Sequence, residues 1–593
     1  MVRGFRHIKM GHKMQQNYYG PSTPGSDKVH EMKYRGKGET FREAMTRVAS
    51  ALQDSEDHFV NFRDCLLNMR FLPAGRIQIA VGTSRGLTPY NCYVSGTIAD
   101  SFVDGASCIM DRAKEAASTM RLGGGIGYDF STLRPRGALI KKLNSKSSGA
   151  VSFMGIFNEV CLSTASSGHR RGAQMGVLRV DHPDIEEFVR AKQNSHRLTG
   201  FNISVAITDA FMQAVKKNEE FPLTFESQVY STINARHLWE LIMRSTYDWA
   251  EPGVLFIDNI NRRNNLHYCE RIAATNPCGE QPLPPYGACL LGSFNLPKYL
   301  KQEKLGGAYS FNWHRLSLDI PHVVRAMDNV VDRARYPLHE QEQEARRKRR
   351  MGLGVTGAAN AIEALGSDFR YGSESFIHQL TLILNFIRNE AYRASSALAR
   401  EKGSFPLYSR DYYLAADTPQ QLSEDVYESI YEHGIRNSHL LSIAPTGTIS
   451  LCADNVSSGI EPVFSYHQRR VLMEEHGPVE YQFEDYGHKF LGVEGRTTED
   501  CAIEDHLKVL VCASHRVDSA VSKTCNVPQN IEWSEFKSIY EKAWEAGCKG
   551  CTTYRKGGMR EAILTDADET AESSEDEGSS CEIDPVTGVR SCE

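Results

Sequence analysis

Apolar positions return every three to four residues across 41–70 (FREAMTRVASALQDSEDHFVNFRDCLLNMR), which predicts helix over that stretch. FLPAGR (71–76) breaks the period. Pro89-Tyr90-Asn91-Cys92-Tyr93-Val94 then reads as a short apolar strand carrying Cys92. Residues 101–122 read as helix and end at Gly123-Gly124-Gly125-Ile126-Gly127. A helix is predicted over 150–165, a polar basic loop over 166–172 and a strand over Met175–Val180. Asp181-His182-Pro183-Asp184 supplies the turn and cap residues that open another helix. A second polar loop, 192–199, leads into a strand at 201–205. Short strands and helices go on alternating to about residue 555, the pattern of an α/β protein.

The two ends depart from that pattern. Residues 1 to about 40 are rich in Gly, Lys and polar side chains and read as a loosely ordered arm. From Thr565 the chain is Ser/Asp/Glu-rich with almost no aromatic content, a composition that predicts disorder. Between Asp566 and Glu593 ten acidic residues stand against one Arg, so this tail carries −9 and the remaining body about +3 of the net −6. Cys581 and Cys592 sit on that acidic tether, where packing does not explain them and a reversible dithiol does. Arg346-Arg347-Lys348-Arg349-Arg350 follows a Glu/Gln-rich stretch and reads as a solvated helix face. The glycine cluster at 123–127 follows a helix rather than a strand, which disfavours a dinucleotide fingerprint and favours a tight turn where backbone approaches a neighbour.

Composition narrows the function classes. With 593 residues, 41% of them hydrophobic and 24% charged, the chain can bury a large core as a globular protein. No apolar run reaches the ~18 residues of a membrane helix. The N-terminus has no apolar segment followed by a cleavage site, which predicts that the chain is not secreted. Fifteen cysteines without dense regular spacing suit a reducing, cytoplasmic setting. No zinc-finger spacing or aromatic–basic interleaving points to nucleic acid, and the carboxylates around His182 are explained by a helix start rather than a metal.

The candidate chemistry lies at Asn276-Pro277-Cys278-Gly279-Glu280. Proline bars Asn276 from helical geometry and Gly279 tolerates unusual backbone angles, so the pentapeptide is expected to be irregular and roughly extended. In an extended segment residues two apart point the same way, which would set an amide, a sulfur and a carboxylate side by side.

Five stretches in order resemble the catalytic subunit of ribonucleotide reductases: NCYV around Cys92, NPCGE (276–280), Cys289 within YGACLLGSFNL (286–296), RMGLGVTGAANA (350–361), and APTGTIS with SSGIEPVF (444–450 and 457–464). The resemblance runs from about Phe71 to Arg555. It implies a ten-stranded α/β barrel over 71–560 with a central finger loop, preceded by a helical region (1–70) and followed by a flexible redox tail (561–593). In that family Cys278 becomes the thiyl radical that takes the ribose 3′-hydrogen. Glu280 would act as general base on the 3′-hydroxyl, and Asn276 would orient the substrate. Cys92 and Cys289 would supply two electrons and end as a disulfide. Substrate binding is carried over to Asn91, Gly124, Pro277 and Gly279, and the diphosphate to Pro445, Thr446, Gly447, Thr448 and Ile449.

Gly550-Cys551-Thr552-Thr553-Tyr554-Arg555 has one Tyr where the metal-dependent branch has an adjacent pair, and it resembles the adenosylcobalamin-dependent branch, class II. The alternative is a class I subunit that needs a metal-containing partner. The family further implies a homodimer with a dNTP or ATP effector at its interface, through Asp100, Arg171, Lys192, Gln193 and Arg197. Thioredoxin or glutaredoxin would act through Cys581 and Cys592. Ten residues separate these two, more than a closely spaced pair would show, so Cys548 and Cys551 remain a second shuttle pair or a structural pair. Diphosphates are the expected substrates. A non-catalytic nucleotide-binding protein is the competing reading, with a nicotinamide dehydrogenase weaker still.

Overall fold

The computed structural model of the chain describes residues 19–164, 172–193, 197–304, 306–474 and 476–555, and the backbone of two short strands at 582–583 and 590–591. Ten strands join in one sheet. In chain order they are β1 (Phe71–Pro73), β2 (Cys92–Val94), β3 (Gly125–Asp129), β4 (Gln174–Arg179), β5 (Phe201–Ile207), β6 (Gly253–Phe256), β7 (Ala288–Asn295), β8 (Met351–Thr356), β9 (Thr524–Val527) and β10 (Gly550–Arg555).

Strands β2 to β6 run parallel as neighbours. A second set holds the parallel pairs β7–β8 and β9–β10. The two sets meet at antiparallel seams, β2 against β7 and β6 against β10. Between β8 and β9, among the described residues, the strand links are the single parallel bridges Leu353–Leu441 and Ile443–Val521. Strands β5 and β7 are buried along their whole length, the signature of a sheet covered on both faces. One face is packed by helices. The other encloses a separate apolar cluster that includes Cys92, Cys289, Met175, Ala274 and Leu283.

The helices used below are α1 (Pro24–Tyr34), α2 (Phe41–Leu52), α3 (Glu56–Leu67), α4 (Ile109–Arg121), α5 (Ala150–Ser163), α6 (Trp313–Arg333), α7 (His339–Lys348), α8 (Glu374–Lys402), α9 (Gly447–Cys452), α10 (Ile503–Ser514) and α11 (Trp533–Glu545). No helix among the described residues is long and apolar enough to cross a membrane.

Local chemistry corrects several expectations. The periodic stretch 41–70 is two helices: Thr40 and Glu43 form a capping box at the start of α2, and Ser55 caps α3 afresh after a break at Gln53. Pro24–Tyr34, expected within a loose arm, is helix α1, with Val29, His30 and Tyr34 buried. The predicted helix over 101–122 begins at Ile109, and Gly125–Asp129 is a strand rather than a turn. Of the basic run, Arg346 and Arg347 are exposed, but Lys348, Arg349 and Arg350 are buried. Arg349 pairs with Asp328 at 2.8 Å and with Asp332 at 2.8 Å, while Arg350 pairs with Glu270 and with Glu344 at 3.3 Å. Carboxylates from distant segments draw these cations inward, which a run of charges in sequence does not reveal. Of the tail expected to be disordered, the structure describes an antiparallel pair, Glu582–Ile583 with Arg590–Ser591.

Candidate active site

The pentapeptide caps a hairpin, Ala274–Thr275 with Pro282–Leu283, that enters the enclosed face of the sheet. The loop is a tight turn rather than the extended segment expected. The Gly279 N–H donates to the Asn276 carbonyl at 3.1 Å with Gly279 at φ 82°, and the Asn276 side chain accepts from Gln281 N–H at 2.9 Å. Glycines on β3 make room for it. A Cβ at Gly127 would stand 1.8 Å from the Thr275 carbonyl oxygen, so only a glycine lets the hairpin lie this close. Three further contacts seat the loop. Asn202 on β5 donates to the Pro277 carbonyl at 3.2 Å, and the Glu280 carbonyl accepts from Ala520 N–H at 3.0 Å and from the Ser442 hydroxyl at 3.3 Å.

Asn276 and Glu280 converge on Cys92. The amide Nδ2 stands 3.3 Å from the Cys92 sulfur, and that sulfur stands 3.9 Å from Glu280 Oε1. Cys92 and Cys289 are register partners directly across the β2–β7 seam. In antiparallel pairs such residues have Cα atoms roughly 4.5–5.5 Å apart, inside the range a disulfide spans. Burial pushes both thiols well above the ordinary cysteine range, so they stand as S–H groups. Burial also raises the Glu280 carboxyl to about 7, against the opposing pull of the Asn276 amide. Its second oxygen, Oε2, is buried without a partner, as is the Asn91 side-chain oxygen. An unpartnered buried acceptor is costly and suits a site awaiting a hydroxyl donor.

Cys278, at the tip of the turn, opens elsewhere: onto a cavity at the β6–β10 seam lined by Ser204, Val254, Leu255, Ser522, Thr524 and Gly550. Among the described residues, no tyrosine lines it. Lys523 borders this cavity and pairs with Glu461, which borders a larger one of about 470 Å3. Thr524 and Asn526, two apart on β9, face the first and the second respectively. Gly447, Thr448, Lys33, Arg469 and Arg470 line the larger cavity. Thr446, at φ 57°, spends its hydroxyl on the Thr356 hydroxyl (2.9 Å) and Gly459 N–H (2.7 Å). Ile449 is buried, Pro445 leads into the turn before α9, and a Cβ at Gly124 would crowd Tyr93.

The residues expected to read an effector are spread over two places. Asp100 is paired with Arg134 at 2.7 Å, and Arg197 stands 3.4 Å from Glu187, which also holds Arg136. Lys192 turns inward to Glu251 at 2.6 Å, with Gln193 donating its N–H to the Arg190 carbonyl. Arg171, Cys581 and Cys592 lie outside the described residues. Cys548 and Cys551 are buried, and the Cys551 thiol hydrogen-bonds Cys525. Sequence reasoning missed Asn202, Ser442, Lys523 and Glu461. The one signal was Asn202 itself, which with Ser204 interrupts the apolar run of β5.

The chain matches the family described as "Ribonucleotide reductase, barrel domain" over residues 91–485 and 496–554. It is 34% identical over 568 residues to a vitamin B12-dependent ribonucleoside-diphosphate reductase of Mycobacterium tuberculosis, spanning 89% of this chain and 78% of that protein. A protein of the same description from Thermoplasma acidophilum is 32% identical over 560 residues, spanning 89% and 69%. The ribonucleoside-diphosphate reductase subunit alpha of Chlamydia muridarum is 27% identical, spanning 86% of this chain and 56% of that protein.

Proposed function

The chain belongs to the ribonucleotide reductase family, and we propose that it reduces ribonucleoside diphosphates to 2′-deoxyribonucleotides by a thiyl-radical route with adenosylcobalamin as cofactor. One observation carries the reading. Two thiols stand opposite each other across a strand seam, with a carboxyl and an amide from one buried turn on the first of them.

Cys278 takes the 3′-hydrogen of the ribose and later returns it. Glu280, with its carboxyl near neutrality and one oxygen open, accepts the 3′-hydroxyl proton. Asn276 and Asn91 orient the sugar by hydrogen bonds, with Gly124, Pro277 and Gly279 shaping the wall around it. As the 2′-hydroxyl leaves as water, Cys92 and Cys289 give up two electrons and close as a disulfide. Gly447, Thr448 and the neighbouring backbone of Pro445, Thr446 and Ile449 hold the diphosphate, with Lys33 and Arg470 supplying positive charge on the same cavity.

The cavity at Cys278, about 30 Å3, would have to widen to admit the cofactor's reactive portion, but the chemistry of its lining suits that group. It offers the hydroxyls of Ser204, Ser522 and Thr524 and the apolar faces of Val254 and Leu255. When bound, adenosylcobalamin supplies the first hydrogen-abstracting radical by cobalt–carbon homolysis. Enclosure of Cys278 then keeps its radical from water and stray thiols.

We read 71–560 as the catalytic body and the sheet as a barrel closed through the Leu353–Leu441 and Ile443–Val521 bridges. A homodimer is supported by apolar exposure beside the packed helices α4 and α5: Phe102 is 51% exposed, Val103 62% and Met110 42%. Asp100, Arg171, Lys192, Gln193 and Arg197 would read a nucleotide effector, Lys192 doing so from its inward pair with Glu251. No disulfide joins the described cysteines, in keeping with a cytoplasmic setting.

Thioredoxin or glutaredoxin would restore the thiols through Cys581 and Cys592. In support, the strand Arg590–Ser591 lies against α9 and Glu582 pairs with Ser591, and in the sequence Cys581 precedes Glu582 and Cys592 follows Ser591.

The test is electron paramagnetic resonance on the purified chain with adenosylcobalamin and substrate alone. A radical that forms, and that is lost in Cys278→Ser, supports the reading. No radical until a metal-containing partner is added would move the chain to class I.

A further inference from the structure

Asn202 is a buried polar residue on a strand that also buries Phe201, Ile203, Ser204 and Val205. Its side-chain amide donates to the carbonyl of Pro277 at 3.2 Å. That carbonyl belongs to the peptide joining Pro277 to Cys278, so the contact fixes the plane from which the Cys278 side chain departs.

The backbone on either side of Asn202 is itself held from one place. Lys192 donates to the Phe201 carbonyl and pairs with Glu251 Oε2 at 2.6 Å, while Glu251 Oε1 accepts from the Ile203 N–H at 3.1 Å. Phe201, Asn202 and Ile203 are therefore set by one buried ion pair. The middle residue of the three reaches the loop tip.

We propose that Asn202 is a positioning residue for the sulfur of Cys278, and that the Lys192–Glu251 pair reaches that sulfur through it. Only geometry is transmitted. If Lys192 moves, the anchor of the Pro277 carbonyl moves with it, and a displacement of about 1 Å at a reacting atom is worth on the order of 100-fold in rate. The alternative is that Asn202 merely satisfies a buried carbonyl. It predicts a cost in stability with no pH signature and no dependence on Lys192. The inference rests on Cys278 being the reacting sulfur.

The experiment uses the full chain with adenosylcobalamin, substrate and a small dithiol, and compares N202A, N202D, K192A and the double variant N202A/K192A with the unsubstituted protein. N202A should lower kcat by about 100-fold and leave KM within about twofold. N202D should be as slow at pH 8, where its carboxylate repels the carbonyl. Its rate relative to the unsubstituted protein should climb as the pH falls, because a protonated carboxyl can donate. K192A should slow the unsubstituted chain but have no further effect on N202A. In the cofactor-free protein, iodoacetamide labelling of Cys278, read on its own peptide by mass spectrometry, should change in N202A.

A kcat for N202A within about twofold of the unsubstituted value overturns the proposal. So does a flat N202D ratio, or full additivity of N202A with K192A. If N202A fails to fold, the N202D pH ratio decides alone. Inactivity of Cys278→Ala beside a normal N202A would sink only this inference, whereas turnover by Cys278→Ala would sink the reading beneath it.

Discussion

Asn276 binds Cys92 directly: its amide Nδ2 stands 3.3 Å from the sulfur, joining the tip of an inserted hairpin to a strand of the surrounding sheet. The side-chain oxygen of the same amide accepts from Gln281 N–H, so the group cannot turn without breaking one of its bonds. Asn276→Ala should therefore weaken substrate orientation and loosen the turn together. A fall in kcat by about 10- to 100-fold with a modest loss of stability is expected in steady-state kinetics and urea titration.

Glu280 sets a pH dependence. Burial raises its carboxyl to about 7, so the basic form gains as the pH rises through 7, and kcat/KM should increase across that range and then level. For stability the sign is opposite. The folded state favours the protonated acid, so a penalty enters as the pH rises above the unfolded value near 4.5 and is complete above about 7. Glu280→Gln should lower turnover by about 100- to 10,000-fold and raise the melting temperature at pH 8 but not at pH 4.

The Cys92–Cys289 pairing predicts a covalent product. Enzyme that turns over without added reductant should stop after about one deoxynucleotide per site and carry a 92–289 cross-link in a non-reducing peptide map. Either thiol changed to Ser should remove both the cross-link and multiple turnover.

Gly127 has no room for a methyl. A Cβ there meets the Thr275 carbonyl at 1.8 Å, so Gly127→Ala must push the hairpin off β3. Expected are a loss of about 1–3 kcal/mol in urea unfolding and a drop in activity larger than that loss explains.

Arg350 is held between Glu270 and Glu344 in the interior. Arg350→Ala would leave Glu270 and Glu344 to share Lys348 alone and should cost about 0.5–3 kcal/mol, measurable by chemical denaturation.

The tail cysteines give a further outcome. The double variant Cys581→Ser/Cys592→Ser should lose turnover driven by thioredoxin and keep turnover driven by a small dithiol. Equal rates with thioredoxin would remove the shuttle.

What the sequence made legible follows from how local each cause is. The strands at 174–179 and 201–207 declare themselves because burial on both faces needs an apolar run and nothing more. Asn276, Cys278 and Glu280 stand together in the chain, so their candidacy could be read, but their conformation could not. Pro277 and Gly279 permit an extended loop and a turn alike, and the Gly279 N–H bond to Asn276 decides between them. Arg349 and Arg350 were misread because Asp328 and Glu270, which pull them inside, lie about 20 and 80 residues upstream. The role of Asn202 could not be read, because its partner is a backbone carbonyl that any residue could have supplied.

The seam between β2 and β7 joins two sets of strands that run in opposite directions. A bond between the sulfurs at 92 and 289 would staple one half of the sheet to the other, and its reduction would release them. The scaffold would thus stiffen and slacken once per product. Resistance to proteolysis should oscillate with the redox state of the pool that feeds it.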